Sequence, residues 1–399
     1  MNIRNILVLL IIIVIIFGII YYLGYQNKTY SNGKILKLLI YNPTNCTVFS
    51  PFQQEIYINS SIMNKYEINE NGSNVFFFTN LSNIKGSILY SWFAGYYNNY
   101  SIWWVRLPTP IFPYSNITIY MYIGPVGEDY YEEYYPYVGI SSYVYNNYSW
   151  GPLSIYDNGQ FVFDFYGWFY DTKDNWILNV ENGNYFPTPT INGIEMINYS
   201  LSQGSYIEPP NNGNIPNIPI IIEEGWYYNG EADANVISMY GGKSVTYAAG
   251  ANKFGGYTPT LYGSIFAQYE YYFLHPKLYI SYIGNLGNIQ LYEGPFIYKN
   301  QSYVYSYFLV DFCNDSNAYA QAGYLELNNI PPISLLGTSE NTNQTPLIEF
   351  NKALLSGDYF SITSGSGSQS TSLQSIYWVV GRTYPPYGIM PEVYIESLS

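Results

Sequence analysis

The stretch Ile117-Thr-Ile-Tyr-Met-Tyr-Ile123 decides the fold class. Ile117, Ile119, Met121 and Ile123 alternate with Thr118, Tyr120 and Tyr122, and this period of two sends the sets to opposite faces of a strand. Ser101-Ile-Trp-Trp-Val-Arg-Leu107 and Phe161-Val-Phe-Asp-Phe-Tyr166 read the same way, as does Ile376-Tyr-Trp-Val-Val-Gly-Arg382 near the end. Gly, Pro and Asn clusters separate such runs at short intervals, as in sandwiches and barrels. No amphipathic helix of useful length stands out beyond the N-terminal region. The body is expected to be all-β.

Composition narrows the function. Hydrophobic residues make up 48% of 399, enough for a sizeable core, and aromatics 20%, with 51 Tyr. Charged residues are only 11%, against about 25% in an average soluble domain. The net charge of −14 excludes the basic footprint that nucleic-acid binding requires. The single histidine, His275, leaves no material for a zinc site of His and Cys, and any chemistry would have to run on carboxylates or Tyr. Cys46 and Cys313 are too few for a disulfide framework; they either form one bridge or stay as buried thiols.

Residues 6–23 form an unbroken apolar run of 18 residues. As a helix it spans roughly 27 Å, close to the thickness of a hydrocarbon core. Tyr21, Tyr22 and Tyr25 follow at headgroup level, and no small-residue cleavage site succeeds them. An uncleaved single-pass anchor is expected over residues 1–25. Arg4 on one side and Lys28, Lys34 and Lys37 on the other leave the charge rule ambiguous. Twelve N-x-[ST] sequons favour an extracellular, glycosylated body with the N-terminus inside: Asn27, Asn45, Asn59, Asn71, Asn80, Asn99, Asn116, Asn147, Asn198, Asn300, Asn314 and Asn343. A tether over 26–37, a small β domain over 38–127, a linker over 128–154 and a larger β-sandwich over 155–399 complete the expected layout. The linker holds the acidic, Tyr-rich run Glu128-Asp-Tyr-Tyr-Glu-Glu-Tyr-Tyr135, read as a solvated segment.

The ordered set Pro51-Phe-Gln-Gln-Glu-Ile-Tyr-Ile58, Asn74-Val-Phe-Phe-Phe78, Tyr90-Ser-Trp-Phe93, Ile102-Trp-Trp-Val-Arg-Leu-Pro108 and Ile117 to Gly124 resembles a known domain. It is similar to the small β domain of unknown function in archaeal and bacterial surface proteins. In that family a concanavalin-like, laminin-G-like jelly roll often follows. Asp157-Asn-Gly-Gln-Phe-Val-Phe163, Asp171-Thr-Lys-Asp-Asn-Trp176 and Tyr377 to Pro391 resemble parts of such a jelly roll. The resemblance implies a surface location and a lectin-like sandwich without a defined activity. The low charge also resembles surface and viral proteins of hot-acid archaea, where a surface of neutral polar groups loses little as carboxylates protonate.

Three chemistries compete. Glu231, Asp233 and Asn235 are spaced like the carboxylate strand of laminarinase-type glycoside hydrolases, which flank a glycosidic bond with two carboxyl groups. Here Asn235, or Val236 with the longer spacing, occupies the third position and neither can act as a carboxylic acid, so the chain is expected not to be an enzyme. Asp171, Asp174 and Asn175, with Asp157 and Asn158 as neighbours, are candidates for calcium, against the bland reading of an ordinary turn. Trp226, Tyr227 and Tyr228, or Tyr269, Tyr271 and Tyr272, could form aromatic platforms for sugar. The expected function is glycan or surface binding in adhesion. A structural role in a surface layer, filament or virion is the alternative, and glycoside hydrolysis the minor one.

Overall fold

The computed structural model describes residues 32–97, 99–142, 155–170, 174–181, 188–190, 193–198, 204–210, 218–229, 232–241, 265–272, 277–284, 287–296, 302–313, 316–329, 331, 333–337, 342–355, 359–366 and 372–397. The expected anchor, 1–25, lies outside them. Among the described residues no helix is long and apolar enough to cross a membrane.

The described chain is all-β, with four sheets stacked as layers around three cores. The first sheet runs Glu392–Ser397, Lys34–Tyr41, Asn116–Ile123, Val75–Phe78. The second runs Phe52–Asn59, Tyr100–Leu107, Ser91–Tyr97, Val138–Ile140. The third runs Thr188–Thr190, Gly193–Asn198, Ser372–Thr383, Ile220–Asn229, Ser302–Asp311, Asn317–Leu327, Asn343–Gln344, with Phe165–Trp168 and Ile348–Asn351 as side branches. The fourth runs Gly287–Pro295, Lys277–Gly284, Ile265–Tyr272, Ala232–Gly241, Tyr359–Ser366, Gly204–Glu208, Ile177–Glu181. Within these sheets, only the pairing of Ser91–Tyr97 with Val138–Ile140 is parallel.

Alternation assigns each residue to a core. Ile119 and Met121 enter the core between the first two sheets together with Leu36, Leu38, Ile56 and Val105. Trp103 joins that core, whereas its neighbour Trp104 points the other way, into a core shared with the third sheet. Ile220 and Ile222 fill the core between the third and fourth sheets, and Ile221 faces back toward Trp104. Because the second and third sheets pack their faces together, the small and large sandwiches form one four-layer body.

Two expected boundaries shift. The Tyr-rich stretch expected to be linker forms a short helix, Tyr130–Tyr134, whose N-cap Asp129 accepts from the Tyr131 backbone N–H. Tyr130, Tyr131 and Tyr134 are buried in the first core, with Tyr130 and Tyr134 both edge-on to Phe76 at 5.2 Å. The acids of the run turn toward solvent while Tyr130, Tyr131 and Tyr134 turn into the core, a division that a charge count over the whole stretch hides. Val138–Ile140 then supplies an edge strand of the second sheet. At the other end, Glu392–Ser397 leaves the large sandwich and pairs with Lys34–Tyr41, Leu39 opposite Tyr394. The region 155–399 therefore does not close on itself.

The seam between the sandwiches is polar at its centre. The buried Arg382 donates from Nε to Glu223 Oε2 at 2.7 Å. Glu223 Oε1 accepts from the Tyr305 hydroxyl at 2.7 Å and the Gly337 backbone N–H at 2.8 Å. The Arg382 guanidinium lies 5.0 Å from the Trp104 ring centre. Cys46 of the small sandwich is disulfide-bonded to Cys313 of the large one, across 267 residues of sequence. Opening so long a loop should destabilise the body by about 2–4 kcal/mol. The Cys46→Ser/Cys313→Ser variant, followed by urea denaturation, is expected to show that loss; an unchanged midpoint would mean the sheet contact alone fixes the seam.

Candidate functional site

The third sheet has longer strands than the second, so part of its inner face projects beyond the cover. Along Ser302–Asp311, Tyr305, Tyr307 and Leu309 are buried under the second sheet, while Tyr303 is half-buried. Along Ile220–Asn229, Ile221 and Glu223 are buried and Tyr227 is half-buried. Strand register sets this end in one row, half-buried except for the buried Ser375: Glu195 opposite Ser375, Ser375 opposite Tyr227, Tyr227 opposite Tyr303, Tyr303 opposite Leu327. Five strands at about 4.8 Å spacing make this row roughly 19 Å wide.

A bulge sets a third, buried ring behind these two. The register of Ser372–Thr383 slips beside Gly225, so Tyr377 and Trp378 both lie on this face. Gly225 is required there, because a Cβ would come within 2.4 Å of the Trp378 indole nitrogen. That nitrogen donates to the Pro331 carbonyl at 2.8 Å and fixes the indole. The Tyr303 ring centre lies 4.9 Å from Tyr227 and 6.1 Å from Tyr377, with tilted planes in both pairs. Burial first, then the neighbouring Tyr303, pushes the hydroxyls of Tyr227 and Tyr377 upward in pKa. They therefore stay neutral and can both donate and accept. At one end Thr190 donates its hydroxyl to Glu195 Oε1 at 3.2 Å; at the other, Leu325 and Leu327 are partly buried. The site offers apolar ring surface flanked by neutral hydroxyls and one carboxylate.

Of the aromatic candidates read from sequence, Tyr227 is the one placed on this surface. Trp226, Tyr228 and Tyr269 are buried in the core of the large sandwich. The Trp226 indole donates to Ser306 at 2.9 Å, and the Tyr269 hydroxyl donates to the Tyr307 carbonyl at 2.6 Å. Tyr271 and Tyr272 are described only as backbone, within Ile265–Tyr272. Sequence reading missed Tyr303 and Tyr377, because they come from strands some 75 and 150 positions away that only pairing brings alongside Tyr227.

The hydrolase spacing does not assemble an open site. Glu231 lies outside the described residues, and Asp233 is described as backbone pairing with Tyr271. Asn235 is wholly buried between the third and fourth sheets, where its amide donates to Glu224. The third position of the spacing is thus closed to any substrate.

The calcium candidates are only partly described. Asp171 lies outside the described residues. Asp174 and Asn175 are consecutive left-handed residues of a turn, φ +44° and +64°, and Asp174 Oδ2 accepts from the Trp168 backbone N–H at 2.8 Å. Asp157 Oδ1 accepts from the Trp92 indole at 2.9 Å and Gly159 N at 3.1 Å; Oδ2 accepts from Ser142 N at 2.9 Å and the Tyr166 hydroxyl at 2.6 Å. Four donors use the lone pairs a cation would need. Asn158 donates to the Ser91 and Pro136 carbonyls. These residues fasten the connection between the sandwiches. Among the described residues no group of three or more His, Cys, Asp or Glu is placed to hold a metal ion.

The sequons divide by exposure. Asn45, Asn80, Asn99, Asn116 and Asn343 are exposed, and Asn59 and Asn71 are half-buried. Asn59 also caps the helix Ser60–Tyr66 by accepting from Ile62 N. Asn198 is described as backbone, and Asn27, Asn147, Asn300 and Asn314 lie outside the described residues.

No family model and no curated protein matches the chain. Among solved structures it is similar to the carbohydrate-binding module CBM66 from Bacillus subtilis, at TM-score 0.32 and 9% identity over 52% of this chain and 96% of that one. It is also similar to the Ca2+/Man-bound VIP36 exoplasmic/lumenal domain, at TM-score 0.36 and 10% identity over 56% and 91%. A legume lectin-like domain from Entamoeba histolytica gives TM-score 0.34 and 10% identity over 52% and 90%. By name these are a carbohydrate-binding module, a Ca2+/Man-bound lumenal domain and a legume lectin-like domain; likeness at this level says nothing of the ligand of this chain.

Proposed function

We propose that the chain is a non-enzymatic surface protein that binds glycans through the row Glu195–Tyr227–Tyr303, held to a membrane by residues 6–23 with its body outside. The observation that carries this is the uncovered end of the third sheet. Tyr227 and Tyr303 stand there half-buried on a strand face, backed by the buried Tyr377 and beside a hydroxyl and a carboxylate. Apolar sugar faces stack on rings while hydroxyls take directional hydrogen bonds, and a row spanning five strands suits an extended oligosaccharide. Contacts of this kind need no metal, so binding is expected to survive chelation.

A glycan array with the full chain tests the reading. Tyr303→Ala, at the centre of the row, is expected to weaken binding about tenfold or more, since it removes a ring packed against two others. Tyr57→Ala, exposed on the small sandwich, should leave binding unchanged. Silence across sugar classes, or equal binding by both variants, would remove the proposal.

A second reading rests on a different surface. Phe112 and Tyr114 are 64% and 63% exposed. Asn42 holds their loop by donating to the carbonyls of Cys46, Ile111 and Phe112. A rigid, exposed aromatic pair beside the disulfide suits contact with another protein in a surface assembly. Ordered oligomers dispersed by Phe112→Ser, with glycan binding intact, would favour it.

A further inference from the structure

On one flank of the large sandwich both sheets end together. The fourth sheet ends in Gly287–Pro295, and the third in the two-residue strand Asn343–Gln344. Between these edges opens a cleft of about 180 Å³ lined by Leu278, Tyr292, Pro295, Tyr324, Asn343 and Thr345, with no charged side chain in its lining. The register of Gly287–Pro295 slips between Ile280 and Ser281, and both Leu291 and Tyr292 lean on the core. Tyr324 is fixed edge-on to Phe296 at 4.5 Å. Thr345 is pinned by its backbone N–H to the Ala322 carbonyl at 2.9 Å, while its hydroxyl accepts from Ala322 N at 3.2 Å. The wall is preformed.

Asn343 stands in that wall, is exposed, and makes no side-chain hydrogen bond among the described residues. It is also the first residue of the sequon Asn343-Gln-Thr345. We propose that Asn343 carries an N-linked glycan whose first sugars fold back into this cleft. Size favours a tethered occupant over a free one, because sites for free ligands run to about 300–1,000 Å³. A sugar attached to the wall is held at high effective concentration, so a few contacts with Tyr292 and Asn343's neighbours suffice. The lining suits it, with ring surface, neutral polar groups and no charge to desolvate. A glycan here would also block the short outer edge of the third sheet, where another chain could otherwise add a strand.

This inference shares with the proposed function only the extracellular placement of the body, and the test separates the two. Glycopeptide mass spectrometry on protein from its natural source should find Asn343 modified. In the folded chain, enzymatic release of that glycan should be about tenfold slower than release from Asn45 or Asn116, equalising after denaturation. Tyr292→Ala should abolish the difference. Modification at Asn45 and Asn116 but not Asn343 would overturn the inference and leave the placement standing; no modification anywhere would overturn both. Equal release rates in the folded chain, or protection that persists in Tyr292→Ala, would place the glycan outside the cleft and overturn it. The comparison of folded and denatured wild type stands even if the variant fails to fold.

Discussion

Replacing Arg382 with Met is expected to destabilise the body by about 3–5 kcal/mol, the usual consequence of leaving a buried charge without its partner. Arg382 is 3% and Glu223 0% exposed, so neither is screened by solvent. Without the guanidinium, Glu223 keeps, among the described residues, the Tyr305 hydroxyl and the Gly337 N–H. The adjacent Glu55 is also buried at this seam and also acts on Arg382. The loss is a large fraction of the roughly 5–15 kcal/mol that holds a typical domain. Removing both charges should be milder. Glu223→Gln with Arg382→Met keeps an acceptor for Tyr305 and Gly337 and removes this ion pair from the core, and is expected to recover much of the stability. Arg382→Lys should recover less, because an ammonium cannot spread over Trp104 as a planar guanidinium does. Urea denaturation of the three variants decides it. A loss below about 1 kcal/mol in Arg382→Met would mean the pair behaves like an exposed one.

That ion pair shows where sequence reading stops. Alternation in Ile117–Ile123 and Ile102–Leu107 correctly places residues on strand faces, because period two follows from backbone geometry alone. What covers each face does not follow from it. Trp103 and Trp104 read alike in sequence, yet one fills the small sandwich and the other the seam, and only the docking of two sheets distinguishes them. The same limit applies to the site. The run Trp226-Tyr-Tyr228 announces aromatic material, and alternation turns Tyr227 away from its neighbours. That Tyr227 remains uncovered depends on the second sheet ending short of it. Asp157 and Asp174 look like metal ligands in a list of acids; in space, Asp157 accepts from Ser142 N and Tyr166, and Asp174 Oδ2 from Trp168 N, contacts that no list of acids shows. The return of Glu392–Ser397 to the first sheet is a contact across more than 350 residues, and no local pattern encodes it.

The body is expected to be most stable in acid. Three buried carboxyls have pKa values raised by desolvation. Glu224, between the third and fourth sheets, is pushed up to about 7 despite hydrogen bonds from Ser306 and Asn235. Asp164 reaches about 6, burial outweighing the nearby Arg106. Asp311 also reaches about 6, against the backbone N–H groups of Tyr387 and Phe312. In each case the folded state binds its proton more tightly than the unfolded chain, so stability falls as pH rises between the two values. The contribution is complete below about pH 4, where both states are protonated, and is lost through pH 6–7. Glu224 alone, raised from 4.5 to about 7, accounts for at most about 3 kcal/mol at 1.36 kcal/mol per pH unit. Thermal unfolding should therefore show a higher midpoint at pH 4 than at pH 8. Relief of repulsion within a chain of net charge −14 acts in the same direction, so wild type alone cannot separate the causes. Glu224→Gln does. Its amide is neutral at every pH and can still accept from Ser306, so the variant should match wild type near pH 4 and exceed it at pH 8. Equal midpoints for the two proteins at pH 8 would show that Glu224 ionises in the folded core without cost, and the acid preference would then belong to surface charge.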